Sequence, residues 1–133
     1  MATITINRSS VSLVAVGTTQ TNGAFTRGTY DMRTAIGGLI TMKITNGATP
    51  PTVGCTCSVL VSHNSGSTPT AASSGAEWKT VYRFNGGAVA NAITEQHFRI
   101  EGGMHVEVEF AYNTVQPVTV EALMTVDTNA VTV

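Results

Sequence analysis

The strongest pattern in this sequence is an alternation of apolar and polar residues with a period of two. In the segment 104–112 it is clearest, with Met104, Val106, Val108, Phe110 and Tyr112 alternating with His105, Glu107 and Glu109. Successive side chains of a β-strand point to opposite faces, so this segment predicts a half-buried antiparallel strand. Its apolar face would join the core, and its His and Glu face would meet solvent.

The same alternation recurs along the chain, whereas no segment has a convincing helical period. The further predicted strands are 11–16, 39–45, 53–63, 77–84, 93–100 and 118–126. We expect the strand 11–16 to be more fully buried than the others. Turn signals that contain glycine, such as Asn46-Gly47, separate the predicted strands, and Gly102-Gly103 predicts a hairpin between two strands. We therefore expect an all-β fold, an antiparallel β-sandwich or jelly-roll-like barrel of seven to eight short strands.

The length of 133 residues predicts a single β domain over residues 1–133. Within it, the N-terminal segment 1–9 and the C-terminal tail 127–133 have strand-like patterns next to polar hinges, which is typical of arms. An arm can add a strand to the open edge of a neighbouring sheet. The predicted partner-interface residues are Thr3, Ile4, Thr5 and Ile6. The alternative is that the N-terminus is simply the first strand of its own sheet.

The charge content excludes some functions. Charged residues make up 11% of the chain, against about 25% in a typical soluble domain. Seven basic and eight acidic residues give a net charge of -1, which argues against nucleic acid as a partner. The start shows no signal peptide and no apolar run long enough for a membrane helix, so we expect synthesis in a host cytoplasm and no membrane partner. Low charge suits a subunit of a crowded assembly.

Few residues suggest chemistry. His105, Glu107 and Glu109 share one strand face and could bind a divalent cation, but a solvated strand face is the more ordinary interpretation. Cys55 and Cys57 share a strand face near the upper limit of disulfide geometry, so we interpret them as small buried side chains. No nucleophile elbow or phosphate-binding loop occurs. We predict no enzyme activity, no metal site and no cofactor.

Aromatic residues could form a ligand platform. The strand pattern places Trp78 and Tyr82 on the same face, beside a long polar loop at 64–76. An exposed Trp/Tyr pair could stack on a sugar ring, as in a carbohydrate-binding or adhesin module. The favoured interpretation is that Trp78 belongs to the core.

The whole chain resembles a group of viral proteins. It is rich in Thr, Ala, Gly and Val, has only Lys43 and Lys79 as lysines, and carries strand-like segments at both ends. In these respects it resembles small structural proteins of tailed-bacteriophage virions and is most similar to the capsid decoration, or cement, proteins. The resemblance implies a homotrimer that binds major capsid protein or other virion subunits on the outside of a shell. A tail-tube or head-fibre subunit is the alternative within the virion.

Overall fold

Eight antiparallel strands form two sheets in the computed structural model, which describes residues 2–66 and 77–132. The described residues contain no helix, and therefore none that could cross a bilayer. The strands are β1 (Thr3–Gln20), β2 (Thr26–Asp31), β3 (Gly37–Asn46), β4 (Thr56–Ser62), β5 (Trp78–Asn85), β6 (Ile93–Ile100), β7 (His105–Ala111) and β8 (Val118–Thr132).

The strand order is that of a jelly roll. One sheet has the order β1-β8-β3-β6 and the other β2-β7-β4-β5, so consecutive strands fall in different sheets except across the β4–β5 connection. This wrapping of eight strands into two antiparallel sheets is the double-sheet jelly-roll arrangement. The prediction of an all-β sandwich is therefore confirmed.

The core forms between the two sheets from the apolar faces that the alternation predicted. Ile40, Met42 and Ile44 of β3 face Val108 and Phe110 of β7, and all five are nearly or fully inaccessible. Burying such side chains stabilises the fold by about 1.5–3 kcal/mol each. The strand β3 is central in its sheet, and β7 is central in the other, so both are covered along their length.

The structure differs from the sequence predictions at three other strands or connections. The strand β2 was not predicted, because Thr26–Asp31 has no apolar alternation. The predicted hairpin at Gly102-Gly103 does not form, since β6 and β7 lie in different sheets. The strand expected at 11–16 is part of an 18-residue edge strand, and only Val14 of that segment is buried.

Glycine allows the sandwich to close on one side. Gly28 of β2 lies so near β1 that a Cβ atom there would overlap the carbonyl oxygen of Leu13. No larger residue fits without moving the backbone of one strand. The edges of the two sheets can therefore meet at this point.

The connections between strands divide into two groups, one at each end of the sandwich. We call one the loop end; it consists of the connections 21–25, 47–55, 86–92 and 112–117. The opposite end, which we call the terminal end, carries the connections 32–36 and 101–104 and both chain termini. Because the strands alternate in direction, each end collects every second connection.

Candidate interaction site

The two chain termini pair with each other. Residues 3–7 of β1 pair with residues 128–132 of β8, while β3 reaches only as far as the pair Gly37 and Asp127. Beyond that point the sheet is two strands wide, and we call residues 3–7 and 128–132 the terminal ribbon. The polar breaks predicted before 11–16 and after 126 are wrong, since β1 and β8 run through them without interruption.

The ribbon brings together the four predicted interface residues. Ile4 and Ile6 lie on one face and are 68% and 57% exposed, and Thr3 and Thr5 lie on the other face. In the part of the chain that the structure describes, no strand pairs with the outer edge of β1. The ribbon thus combines an open edge with exposed apolar side chains, which can accept another strand. That it binds a partner stays a prediction.

An ion pair lies at the base of the ribbon. Arg8 Nε donates to Asp127 Oδ1 at 3.1 Å, and the Asp127 carbonyl accepts from the backbone N–H of Ile36 at 2.8 Å. The arginine side chain is 72% exposed. The ribbon is therefore joined to the sandwich mainly through backbone pairing.

The row of His105, Glu107 and Glu109 is buried, so its interpretation as a solvated face was wrong. These side chains lie on the outer face of the β2-β7-β4-β5 sheet, where β7 is flanked by both neighbouring strands. Arg27 Nε donates to Glu109 Oε2 at 3.0 Å, and Thr29 Oγ1 donates to Glu107 Oε1 at 3.2 Å. Strand β2 supplies these partners in register.

The third member of the row, His105, lies near an acidic group. Its Nδ1 atom is 3.9 Å from Asp31 Oδ1, beyond hydrogen-bond distance. Arg33 donates to both carboxylate oxygens of Asp31, which holds the pKa of Asp31 well below its usual range. Among the described residues no three His, Cys, Asp or Glu side chains are placed to hold a metal ion.

The Trp78 and Tyr82 platform, which was the less favoured interpretation of these residues, does not form. Trp78 pairs with Ser62 and Tyr82 with Val59, and because these partners are three residues apart on β4, the two aromatic side chains face opposite sides. A β-bulge at this point inserts one extra residue into β5, which reverses the faces. Trp78 is buried, as favoured, but on the outer face of its sheet, and residues 67–76 of the predicted loop lie outside the described residues.

The two cysteines are buried free thiols, as predicted. Cys55 and Cys57 have no solvent exposure and belong to the apolar core. Burial raises the pKa of the Cys55 thiol to about 12, and burial raises that of Cys57 further still. A thiol with a raised pKa is a poor nucleophile at neutral pH.

Three buried amide side chains at the loop end were missed in the sequence. Gln20 Nε2 donates to the carbonyl oxygens of Thr21 and Ala24, at 3.2 and 2.6 Å. Asn113 Nδ2 donates to the Gln20 carbonyl at 3.1 Å and to that of Gln116 at 2.9 Å.

The third amide is Asn46, whose Nδ2 atom lies 3.4, 3.2 and 3.0 Å from the carbonyl oxygens of Gly86, Gly87 and Val89. In the sequence Asn46 reads as a turn residue because Gly47 follows it. Only its burial shows that it supports a loop.

Comparisons with known proteins identify the fold and nothing narrower. A scan against protein-family models found no match, and a search of the curated proteins found none. Among solved structures, the chain is similar to the K3 cleaved adhesin domain of Lys-gingipain from Porphyromonas gingivalis, with 10% identity and a TM-score of 0.52. That match covers 88% of this chain and 72% of the adhesin chain.

Two further structures have the same score. The VP2 subviral particle of infectious bursal disease virus matches with 7% identity over 92% of this chain, at a TM-score of 0.52. Tripeptidyl peptidase 2 matches with 9% identity over 90% of this chain, also at 0.52. This chain spans 32% of the VP2 chain and 10% of the peptidase chain. At such identities the likeness concerns the β-sandwich alone.

Proposed function

We propose that this protein is a non-enzymatic structural protein of a virion, a decoration protein that binds the outside of an assembled capsid and bridges its subunits. The observation that carries the proposal is the terminal ribbon, which extends the sheet beyond β3 and exposes Ile4 and Ile6 beside an unpaired strand edge. A ribbon of this kind can reach a second subunit while the sandwich rests on the first.

The ribbon would bind by β-strand addition. The unpaired N–H and C=O groups of β1 would pair with an edge strand of a capsid subunit, and the two isoleucines would be covered by that subunit. Covering them would contribute about 1.5–3 kcal/mol each. Because only the assembled shell offers the complete site, binding would stabilise the shell by mass action. Repetition over the lattice would add avidity.

The fold and the charge support this function. Jelly rolls are a recurrent fold of viral capsid subunits, and the solved VP2 subviral particle contains a domain similar to this chain. Few charged residues, 11% of the chain, suit a protein that is mostly surrounded by other protein. The burial of Trp78 and the reversed faces of β5 do not support a sugar-binding platform of Trp78 and Tyr82.

The test is a binding measurement on shells formed by the major capsid protein that is encoded in the same genome. We expect wild-type protein to sediment with the shells, to saturate at a fixed copy number, and to raise the temperature at which the shells break open. The double variant Ile4→Asp/Ile6→Asp should bind about tenfold or more weakly, since two apolar contacts are replaced by charges. Deletion of residues 2–9 should have the same effect.

A matched control is available in the same strand. Val16 is 69% exposed, like Ile4, but lies outside the ribbon, so Val16→Asp should bind shells normally. Thermal unfolding of each free variant shows whether the domain stays folded. Full binding by the Ile4→Asp/Ile6→Asp variant would remove the ribbon from the mechanism. Absence of wild-type binding to the shells would overturn the proposed function.

A further inference from the structure

The loop end carries no charge. Its four connections, 21–25, 47–55, 86–92 and 112–117, contain no Asp, Glu, Lys, Arg or His. All seven basic and eight acidic residues of the chain lie outside these four connections. Four adjacent loops without a charged residue are unusual for a surface exposed to water, where about 25–35% of the residues are normally charged.

Large apolar side chains are exposed at the loop end instead. Each of its four loops contributes at least one, namely Phe25, Val53, Val89, Tyr112 and Val115. The Phe25 and Tyr112 rings pack at right angles with centroids 5.6 Å apart, and the Arg27 guanidinium lies 4.7 Å from the centre of the Phe25 ring. Contiguous exposed apolar surface with a defined shape marks interaction sites.

Two of these residues have a backbone conformation that their side chains disfavour. Tyr112 and Val115 both have φ of 72°, in the left-handed region. This conformation suits Gly and Asn and is strained for a β-branched residue such as Val. Folding alone would be served better by Gly or Asn at position 115. The strained backbone instead holds a valine that is 64% exposed.

The apolar side chains stand on rigid loops. The buried side-chain amides of Gln20, Asn46 and Asn113 donate hydrogen bonds to backbone carbonyl oxygens of the loops and of the adjoining strand end. The connections 47–55 and 112–117 are also joined to each other, because Thr114 N donates to the Val53 carbonyl at 3.1 Å and Val53 N donates to Thr114 Oγ1 at 2.9 Å. A preorganised surface loses little conformational entropy when it binds.

We propose that the loop end is the surface through which copies of this chain associate with one another. Loops without charged residues are complementary to themselves, since two copies meet there with no like-charge contact between loop side chains. The neighbouring Arg27 guanidinium, which lies against Phe25, is paired with Glu109 at 3.0 Å. The net charge of -1 adds little long-range repulsion between copies. If the copies tilt so that their loop ends meet on a symmetry axis, the contact closes and assembly stops at a small number of chains.

The chemistry of the loop end fits other partners less well. Surfaces that lie on membranes combine apolar residues with several Lys and Arg residues, whereas the four connections of the loop end contain no Lys or Arg. A sugar ring stacks on an open aromatic face, whereas Phe25 is already covered by Arg27 on one side and meets Tyr112. The inference uses different residues from the terminal ribbon and does not rest on the proposed function.

The test is the mass of the purified full chain in solution, measured by light scattering from micromolar to millimolar concentrations. We expect wild-type protein to form a closed complex whose mass is a small, fixed multiple of the mass of one chain. Val115→Asp should dissociate about tenfold or more readily, because it places a charge in every copy of the contact. The Ile4→Asp/Ile6→Asp variant, altered only at the terminal end, should keep the wild-type mass.

A second variant separates association from folding. Val115→Asn introduces a residue that tolerates the left-handed conformation. The thermal midpoint of this variant should therefore equal or exceed that of wild type, while its association weakens. A wild-type chain that stays monomeric at millimolar concentration would overturn the inference. This holds even if the monomer binds neutral lipid vesicles or a sugar through the loop end. So would a complex that Val115→Asp leaves unchanged.

Discussion

The two ends of this sandwich are built from different interactions. At the loop end, four connections without a charged residue are held by three buried amides and by backbone hydrogen bonds. At the terminal end, exposed ion pairs predominate: Arg8 with Asp127, Arg33 with Asp31, and Arg99 with Glu101. One end thus relies on buried, directional hydrogen bonds and the other on charges in water.

This difference predicts which end of the sandwich is the more rigid. A buried hydrogen bond resists loss because its partner would be left unsatisfied, whereas an exposed ion pair contributes between about 0 and 1 kcal/mol and is screened by salt. The terminal ribbon, two strands wide, also lacks the lateral pairing that protects β3. We therefore expect the loop end to open only with the whole domain, and the ribbon to open locally.

The largest expected effect comes from alkaline pH, which acts on the thiols beneath the loop end. Cys55 ends the 47–55 connection, and its carbonyl accepts from Gly86 N at 2.8 Å. Burial raises the pKa of Cys55 to about 12 and raises that of Cys57 as well, whereas an unfolded thiol ionises near pH 8.5. The contribution of the neutral thiols to the free energy of unfolding is therefore fully present below about pH 8.5. It is lost as the pH rises from there towards the pKa of the folded state.

Between pH 8 and pH 10 the free energy of unfolding should fall by about 2 kcal/mol per thiol. Urea denaturation at a series of pH values measures the slope. The variant Cys55→Ala/Cys57→Ala is the control, because it has no thiol to ionise and its stability should change little over this range. An equal slope in both proteins would mean that other groups cause the loss.

A somewhat smaller effect is expected when a loop-end amide is removed. Asn46→Ala leaves the carbonyl oxygens of Gly86, Gly87 and Val89 without their donor, which should lower the free energy of unfolding by about 2–3 kcal/mol. Asn22→Ala is the matched control, since Asn22 is exposed on the 21–25 connection, and it should change stability by less than about 0.5 kcal/mol. Equal stabilities of the two variants, measured in urea, would show that the amide does not hold the loops.

The sequence predicts those parts of the fold that follow a regular apolar alternation. Faces that are apolar at every second position, such as Ile40, Met42 and Ile44, were assigned to the core correctly because burial is what their alternation reports. The fold class followed from the number of such faces. Strand β2 has no apolar alternation, since its outer face carries Arg27, Thr29 and Asp31 opposite the buried row on β7. Its sequence therefore does not predict a strand.

The candidate sites depend on features that a pattern does not encode. The bulge in β5 inserts one residue and places Trp78 opposite to Tyr82, and nothing in the local sequence distinguishes it from a regular strand. The pattern of Asn46 followed by Gly47 predicts a turn, and neither the burial of Asn46 nor that of Asn113 is visible in the local sequence. The terminal residues Ile4 and Ile6 were found, but their pairing with β8 was not.

The smallest effect is expected at the terminal end, from Arg8→Ala. The pair with Asp127 is exposed on the arginine side, so its loss should lower global stability by no more than about 0.5 kcal/mol, and less in high salt. Hydrogen exchange is the informative measurement, because backbone amides in residues 3–7 should exchange faster in the variant while those of β3 keep their protection. Acceleration that spreads to β3 would show that the ribbon and the sandwich unfold as one unit. The two ends would then share a single cooperative stability, despite the different interactions that hold them.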